Sequence, residues 1–185
     1  MSTDLAVPQT IPTGSWTADA LHSSVGFSVK HMIVSTFRGG FASFDAHLVS
    51  DEGGHVALAG SVNSASIDTR DPNLTGHILS PEFLSAESHP AITFEATEVR
   101  RDGDRVEFVG QLRLKGITHP LSAVGTIADP VEDPFGGVRL GLSLEANIDR
   151  RAYEMHWNTA LPGGGLALGN DITLSAHLEF TKDAS

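Results

Sequence analysis

The chain has 185 residues, enough for one domain with a substantial core. Its 12 basic and 23 acidic residues leave a net charge of -11, which repels phosphate backbones and anionic headgroups and argues against nucleic acid as a partner. Cysteine is absent, which excludes disulfide scaffolding, thiolate catalysis and Cys-ligated zinc or iron-sulfur centres.

The first residues, MSTDLAVPQTIPTGSW, hold two prolines and neither a basic segment nor a continuous apolar run. A flexible segment over 1–13, a domain over 14–182, and a cytoplasmic location without integral membrane association are therefore expected. A short strand is predicted at 14–19. From residue 23 the dominant period is two, the mark of strands with one buried face. Val25, Phe27 and Val29 share a parity over 23–31. A second strand is predicted at 38–49, and a third at 55–67 carries Val56, Leu58, Gly60 and Val62 on one side.

Two short helical turns then follow between the third and fourth long strands. Asp71-Pro72 and Ser80-Pro81 each pair a capping side chain with a proline at the first helical position. Strands are predicted again at 91–100, 104–114 and 117–129, with turns at Asp102-Gly103 and Lys115-Gly116 suited to positive φ. The strand at 138–149 places Val138, Leu140, Leu142, Leu144, Ala146 and Ile148 on one side. A long loop over 150–170, with Trp157 and a triple glycine, leads to the last strand at 171–182. The reading is all-β: an eight-stranded antiparallel β-barrel, closed so that no edge is left exposed.

The inward parity contains Gly60, Ala96, Gly110, Ala123, Gly125, Ala146 and Ala176. Side chains this small leave room for a guest in a barrel of this size. An apolar lumen rewards an apolar guest at about 0.8 kcal/mol per methylene, so ~10 methylenes supply ~8 kcal/mol, on the order of micromolar affinity before ordering costs.

Four stretches carry a resemblance: SWTADALHSSVGFSVKHMIVSTFRGGF, SASIDTRDPNLTGHILSPEFLSAESHPAITFEATEV, GQLRLKGITHPL and NIDRRAYEMHW. In this order and spacing, over residues 15–181, they resemble the YceI-like family of polyisoprenoid-binding, lipocalin-like proteins. The resemblance implies a barrel enclosing a long isoprenoid or other lipid, often in a homodimer, with no established catalytic residues; no metal or cofactor is expected, because the histidines are scattered without ligand spacing. It also implies recurring polar positions at Asp19 to His22, Lys30 to Met32, Arg38-Gly39, Ser66 to Thr69, His77 and Asp149-Arg150. The segment after Pro72 departs from the family's usual arginine-and-histidine pattern.

The cations His22, Lys30, His31 and Arg38 fall near strand ends, where a barrel mouth would use them to hold a diphosphate or carboxylate head. Phe27, Met32, Phe41, Phe94, Phe108, Leu142 and Leu144 are expected to line the lumen, and Trp157 to flank its opening. Asp68, Arg70, Asp149 and Arg150 read as an ion-pair and turn-capping network. The rival readings are a metal-dependent enzyme built on the nine histidines and a structural or stress-response protein with a filled lumen. No H-E-x-x-H set and no G-x-S-x-G elbow is present to support catalysis.

Overall fold

The computed structural model describes residues 10–184. Its strands are β1 (Gly14–Ala18), β2 (Ser24–His31), β3 (Ser35–Phe41), β4 (Phe44–Ser50), β5 (Val56–Asn63), β6 (Ile67–Asp68), β7 (Ala91–Asp102), β8 (Arg105–Leu114), β9 (Ile117–Ile127), β10 (Val131–Glu132), β11 (Val138–Asp149) and β12 (Leu168–Lys182). One α-helix, α1 (Pro72–Leu79), interrupts them.

Gly14 to Ser50 is one long hairpin broken in the middle. β1 pairs with β4 at its base, and β2 pairs with β3 at its tip. Counting β1/β2 and β3/β4 as one broken strand each, eight antiparallel strands close into a barrel, in the order β12, β11, β9, β8, β7, β5, β4/β3, β1/β2 and back to β12. β12 makes the closure: β11 lies along one side, while β2 and then β1 share the other. The expected architecture is present.

The breaks correct the predicted strands at 38–49 and 55–67. Ser66 takes up the chain between β3 and β4, its carbonyl accepting from Ala42 N at 3.0 Å and its Oγ from Ser43 N at 3.0 Å. Asn63 ends β5 because its side chain accepts from Ala65 N at 3.0 Å and caps a 3-10 turn at Ser64–Ser66. Local side-chain bonds thus outcompete the ladder. Asp71 caps α1 as predicted, accepting from Leu74 N at 2.8 Å. The second predicted helical turn is a single hydrogen-bonded turn, Phe83 N donating to Ser80 O, and no helix follows. The predicted Lys115-Gly116 turn holds, both residues at positive φ (52° and 77°) between paired Leu114 and Ile117, whereas the β7–β8 turn falls one residue later than predicted, on Gly103 (φ 64°) and Asp104, because Asp102 still pairs with Arg105.

The interior has two unlike halves. At the end that holds the β4–β5 and β7–β8 turns, Trp16, Leu48, Phe108, Ile127, Leu140, Leu142 and Phe180 pack into a solid core. Residues 1–9 of the expected flexible segment lie outside the described residues, whereas Ile11 is buried in this core and Pro12 O accepts from Trp16 Nε1 at 3.2 Å. The other half carries a separate apolar cluster from Ile67, Leu84, Leu112, Leu114, Ile148, Tyr153 and Met155, arranged around a space.

Candidate functional site

The space is a cavity of about 460 Å³, within the range of small-molecule sites. Phe27, Phe41, Phe94, Leu112, Leu114, Ile148, Ile172 and Leu174 wall it, and Ala46, Leu58, Ala123, Leu144 and Ala146 floor it where it meets the packed end. Leu74 and Ile78, one helical turn apart on α1, form a roof with Phe83, Leu84, Met155 and Trp157. His31 and Met32 at the tip of the β2–β3 hairpin join the lining with Leu168, and Asp45, Ser61, His77, Thr93, Glu145 and Ser175 are its other polar residues.

The barrel is hollow here because its strands part company. β9 bonds β11 over only four residue pairs, Val124–Ile127 against Leu142–Glu145, so the open-end halves of both strands diverge. A 3-10 turn at Arg150–Tyr153 covers this seam, His119 Nε2 lying 3.0 Å from Ala152 O and its ring 5.0 Å from that of Tyr153.

Arg150 holds the lid of the cavity in place. Its guanidinium is buried at 1 % exposure and donates to the carbonyls of Met155 (2.6 Å), Trp157 (2.8 Å) and Gly169 (2.8 Å). Burial pulls its pKa down from the ordinary arginine value, but the carbonyl dipoles satisfy the charge. Burial likewise raises the Tyr153 phenol. Above Arg150, His77 stands edge-on to Phe83 (4.9 Å) and Trp157 (4.8 Å), and its Nε2 meets Glu82 Oε2 at 2.8 Å.

Among the expected ligand contacts, Phe27, His31, Met32, Phe41, Phe94, Leu144 and Trp157 line the cavity. Five others lie elsewhere. Phe108 and Leu142 point inward, as their parity demands, but sit in the solid end. Lys30 is exposed on the parity opposite Phe27 and Val29. Arg38, paired with Ser28, lines a shallow polar groove on the outer face with Glu145, Thr173 and His177. His22 bonds Asp19 Oδ2 at 2.8 Å in an ion cluster on the outside wall, where Arg139 also reaches Asp19 (3.0 Å), Asp133 (2.9 Å) and Glu179 (2.6 Å). Among the described residues, no lysine or arginine lines the cavity.

Asp19, His22 and Glu179 have ligand atoms close enough together to hold a metal. The Arg139 guanidinium already supplies a cation to both carboxylates, at 3.0 and 2.6 Å. The hydrogen bonds from His22 and then Arg139 hold the Asp19 carboxyl at about 2. Asp149 is also held at about 2, chiefly by its bonds to Arg151. Arg151 is therefore its ion-pair partner, and the neighbouring Arg150, expected in that network, turns inward instead. Asp68 keeps its capping role, accepting from Arg70 N at 2.8 Å.

The profile of the YceI-like domain matches residues 16–180. The chain belongs to the YceI-like family. A UPF0312 protein of Staphylococcus epidermidis is 30% identical over 168 residues, covering 89% of this chain and 96% of that one. Protein YceI of Escherichia coli O157:H7 is 31% identical over 136 residues, covering 72% of this chain and 71% of its own. BcnA of Burkholderia cenocepacia has the same fold at a TM-score of 0.74 and 19% identity, covering 88% of this chain and 98% of that one. A polyisoprenoid binding domain from Saccharophagus degradans matches at a TM-score of 0.61 and 12% identity, covering 91% and 98%.

The YceI-like barrel also draws on lining residues that strand alternation does not reveal. Leu74, Ile78, Phe83, Leu84 and Met155 come from the connections between strands. The four-residue spacing of Leu74 and Ile78 was the available signal, since it marks one face of a helix laid across a barrel end.

Proposed function

We propose that this YceI-like protein binds a long-chain, isoprenoid-like lipid tail first, with a neutral head at the mouth, and sequesters or carries it. Family membership and the barrel fold support lipid binding in general. The observation that carries the finer reading is the cavity of about 460 Å³, lined mainly by apolar side chains, with Asp45 and Glu145 as its acidic residues and, among the described residues, no lysine or arginine in its lining. Each methylene drawn inside contributes about 0.8 kcal/mol. An anionic head drawn in behind the tail would meet no lysine or arginine and lose hydration worth several kcal/mol. Of the four cations expected at the mouth to hold a diphosphate or carboxylate, only His31 lines the cavity, and the placement of Lys30, Arg38 and His22 gives that arrangement no support.

Native mass spectrometry of the purified protein, followed by organic extraction, tests the lipid reading, with a co-purifying polyprenyl species as the expected result. Titration with farnesol and farnesyl diphosphate tests the head group: farnesol is expected to bind at least ten-fold more tightly. Equal or tighter binding of the diphosphate would refute the neutral-head assignment.

A further inference from the structure

The tip of the β2–β3 hairpin spends apolar side chains on solvent. Met32 is 41 %, Ile33 63 % and Val34 87 % exposed, and Leu166 on the neighbouring loop is 48 % exposed. The two loops form one rim. Met32 N donates to Ala167 O at 2.7 Å, and Ile33 packs over Gly165, where a Cβ would fall 2.6 Å from Ile33 Cδ1. The tip is also strained, with Met32 at φ 51° and Ile33 at φ 68°. Positive φ at a β-branched residue is a genuine outlier, and strain of this kind clusters at ligand clamps and other functional segments.

Charge singles out the same rim. The chain has 23 acidic residues, yet residues 20–44 and residues 155–170, which supply the hairpin tip and the loop beside it, contain none. Lys30 stands exposed just behind the tip, its stem able to lie along apolar surface while its ammonium reaches a phosphate. Four side chains fall far short of the ~800 Å² per partner that a stable protein interface buries. They suit insertion of a narrow wedge into a fluid apolar phase.

From these observations we infer that the hairpin tip and Leu166 dock the open end of the barrel onto a neutral lipid bilayer, so that a guest passes between bilayer and cavity without crossing water. Met32 belongs to both surfaces, since it lines the cavity and stands on the exposed rim. The net charge of -11 selects a zwitterionic rather than an anionic membrane. The inference rests on the lipid-carrier reading for its purpose, not for its geometry.

Co-flotation of the full chain with phosphatidylcholine vesicles tests it. The chain is expected to float with the vesicles, and the double variant Ile33→Asn, Val34→Ser to be recovered at least ten-fold less. Asparagine accepts positive φ, so this variant removes apolar surface without adding strain. Phe135→Ser, which removes a 94 % exposed apolar side chain from the β10–β11 turn, is expected to float like the parent. A parent that stays with the dense fraction, or a double variant that floats equally, overturns the inference. So does sedimentation showing a dimer that the double variant dissociates, which would make the rim a self-association surface. Farnesol titration without vesicles separates the two readings: its failure with flotation intact removes the carrier function and leaves the docking surface standing.

Discussion

The ring of Phe27 lies across the backbone of Gly39 on the paired strand: a Cβ placed on Gly39 would come within 2.6 Å of both Cε1 and Cζ of that ring. Phe37 and Phe41, each 6.1 Å from Phe27, complete a tilted aromatic wall on the hairpin. The glycine in FRGGF is therefore the seat of an aromatic ring that faces the cavity. Gly39→Ala is expected to displace Phe27, lowering stability by about 1–3 kcal/mol, as overpacking does, and weakening farnesol binding. Urea unfolding and a titration on the same sample check both.

Ala146 stands on the cavity floor. Ala146→Phe is expected to fill part of the 460 Å³ and cut farnesol affinity at least ten-fold while leaving the melting temperature unchanged or higher, because the added ring occupies space rather than displacing neighbours. Leu142→Ala, in the solid end, is expected to do the reverse: a loss of about 2–5 kcal/mol in stability with little change in binding per folded molecule.

Acid stability reports the outer ion cluster. The Asp19 carboxyl sits at about 2 in the folded chain against an ordinary 3.8, and bonds to Arg139 also lower Asp133. A carboxylate whose pKa falls on folding contributes stability that is complete above its unfolded value and is lost as the pH drops toward the folded one. Thermal melts are therefore expected to decline between about pH 4 and 2. Arg139→Gln is expected to flatten that decline, and an unchanged acid limb in this variant would show that the cluster does not cause it.

Arg150→Met leaves the carbonyls of Met155, Trp157 and Gly169 without their donor. A cost of about 2–4 kcal/mol is expected, together with faster hydrogen exchange confined to the loop before β12. Uniformly faster exchange across the barrel would instead mean that Arg150 supports the whole fold rather than the lid.

Lys30→Ala and Arg38→Ala are expected to leave farnesol and farnesyl diphosphate affinity within two-fold of the parent. A larger loss in either variant would place that cation at the mouth after all.

Strand alternation made the barrel legible because each long strand has one buried face, and that pattern survives in Val138 to Ile148 and Ile172 to Phe180. It also holds the correction to the cations: with Phe27 and Val29 inward, Lys30 must face out, and Arg38 follows because it pairs with Ser28. Depth was not legible. Phe108, Leu142 and Leu144 share the inward parity, and nothing in their spacing separates a packed end from a hollow one. The inward glycines read only in part. Gly60 lines the cavity, but a Cβ on Gly110 or Gly125 would run into the Glu95 or Ser143 backbone, so these two permit close strand approach at a bulge and a junction. The break at Ala42 and Ser43 depends on Ser66, more than twenty residues away, which no local pattern records.

Because one end of the barrel is plugged by Trp16, Phe108 and Phe180, the hollow acts as a ruler with a fixed zero. In a homologous series of prenyl alcohols, each added unit should tighten binding only until the chain tip reaches the alanine floor. Beyond that length the surplus is expected to hang outside and affinity to level off, so under the proposed lipid-binding function guest length would be registered by saturation rather than by exclusion of what is too long.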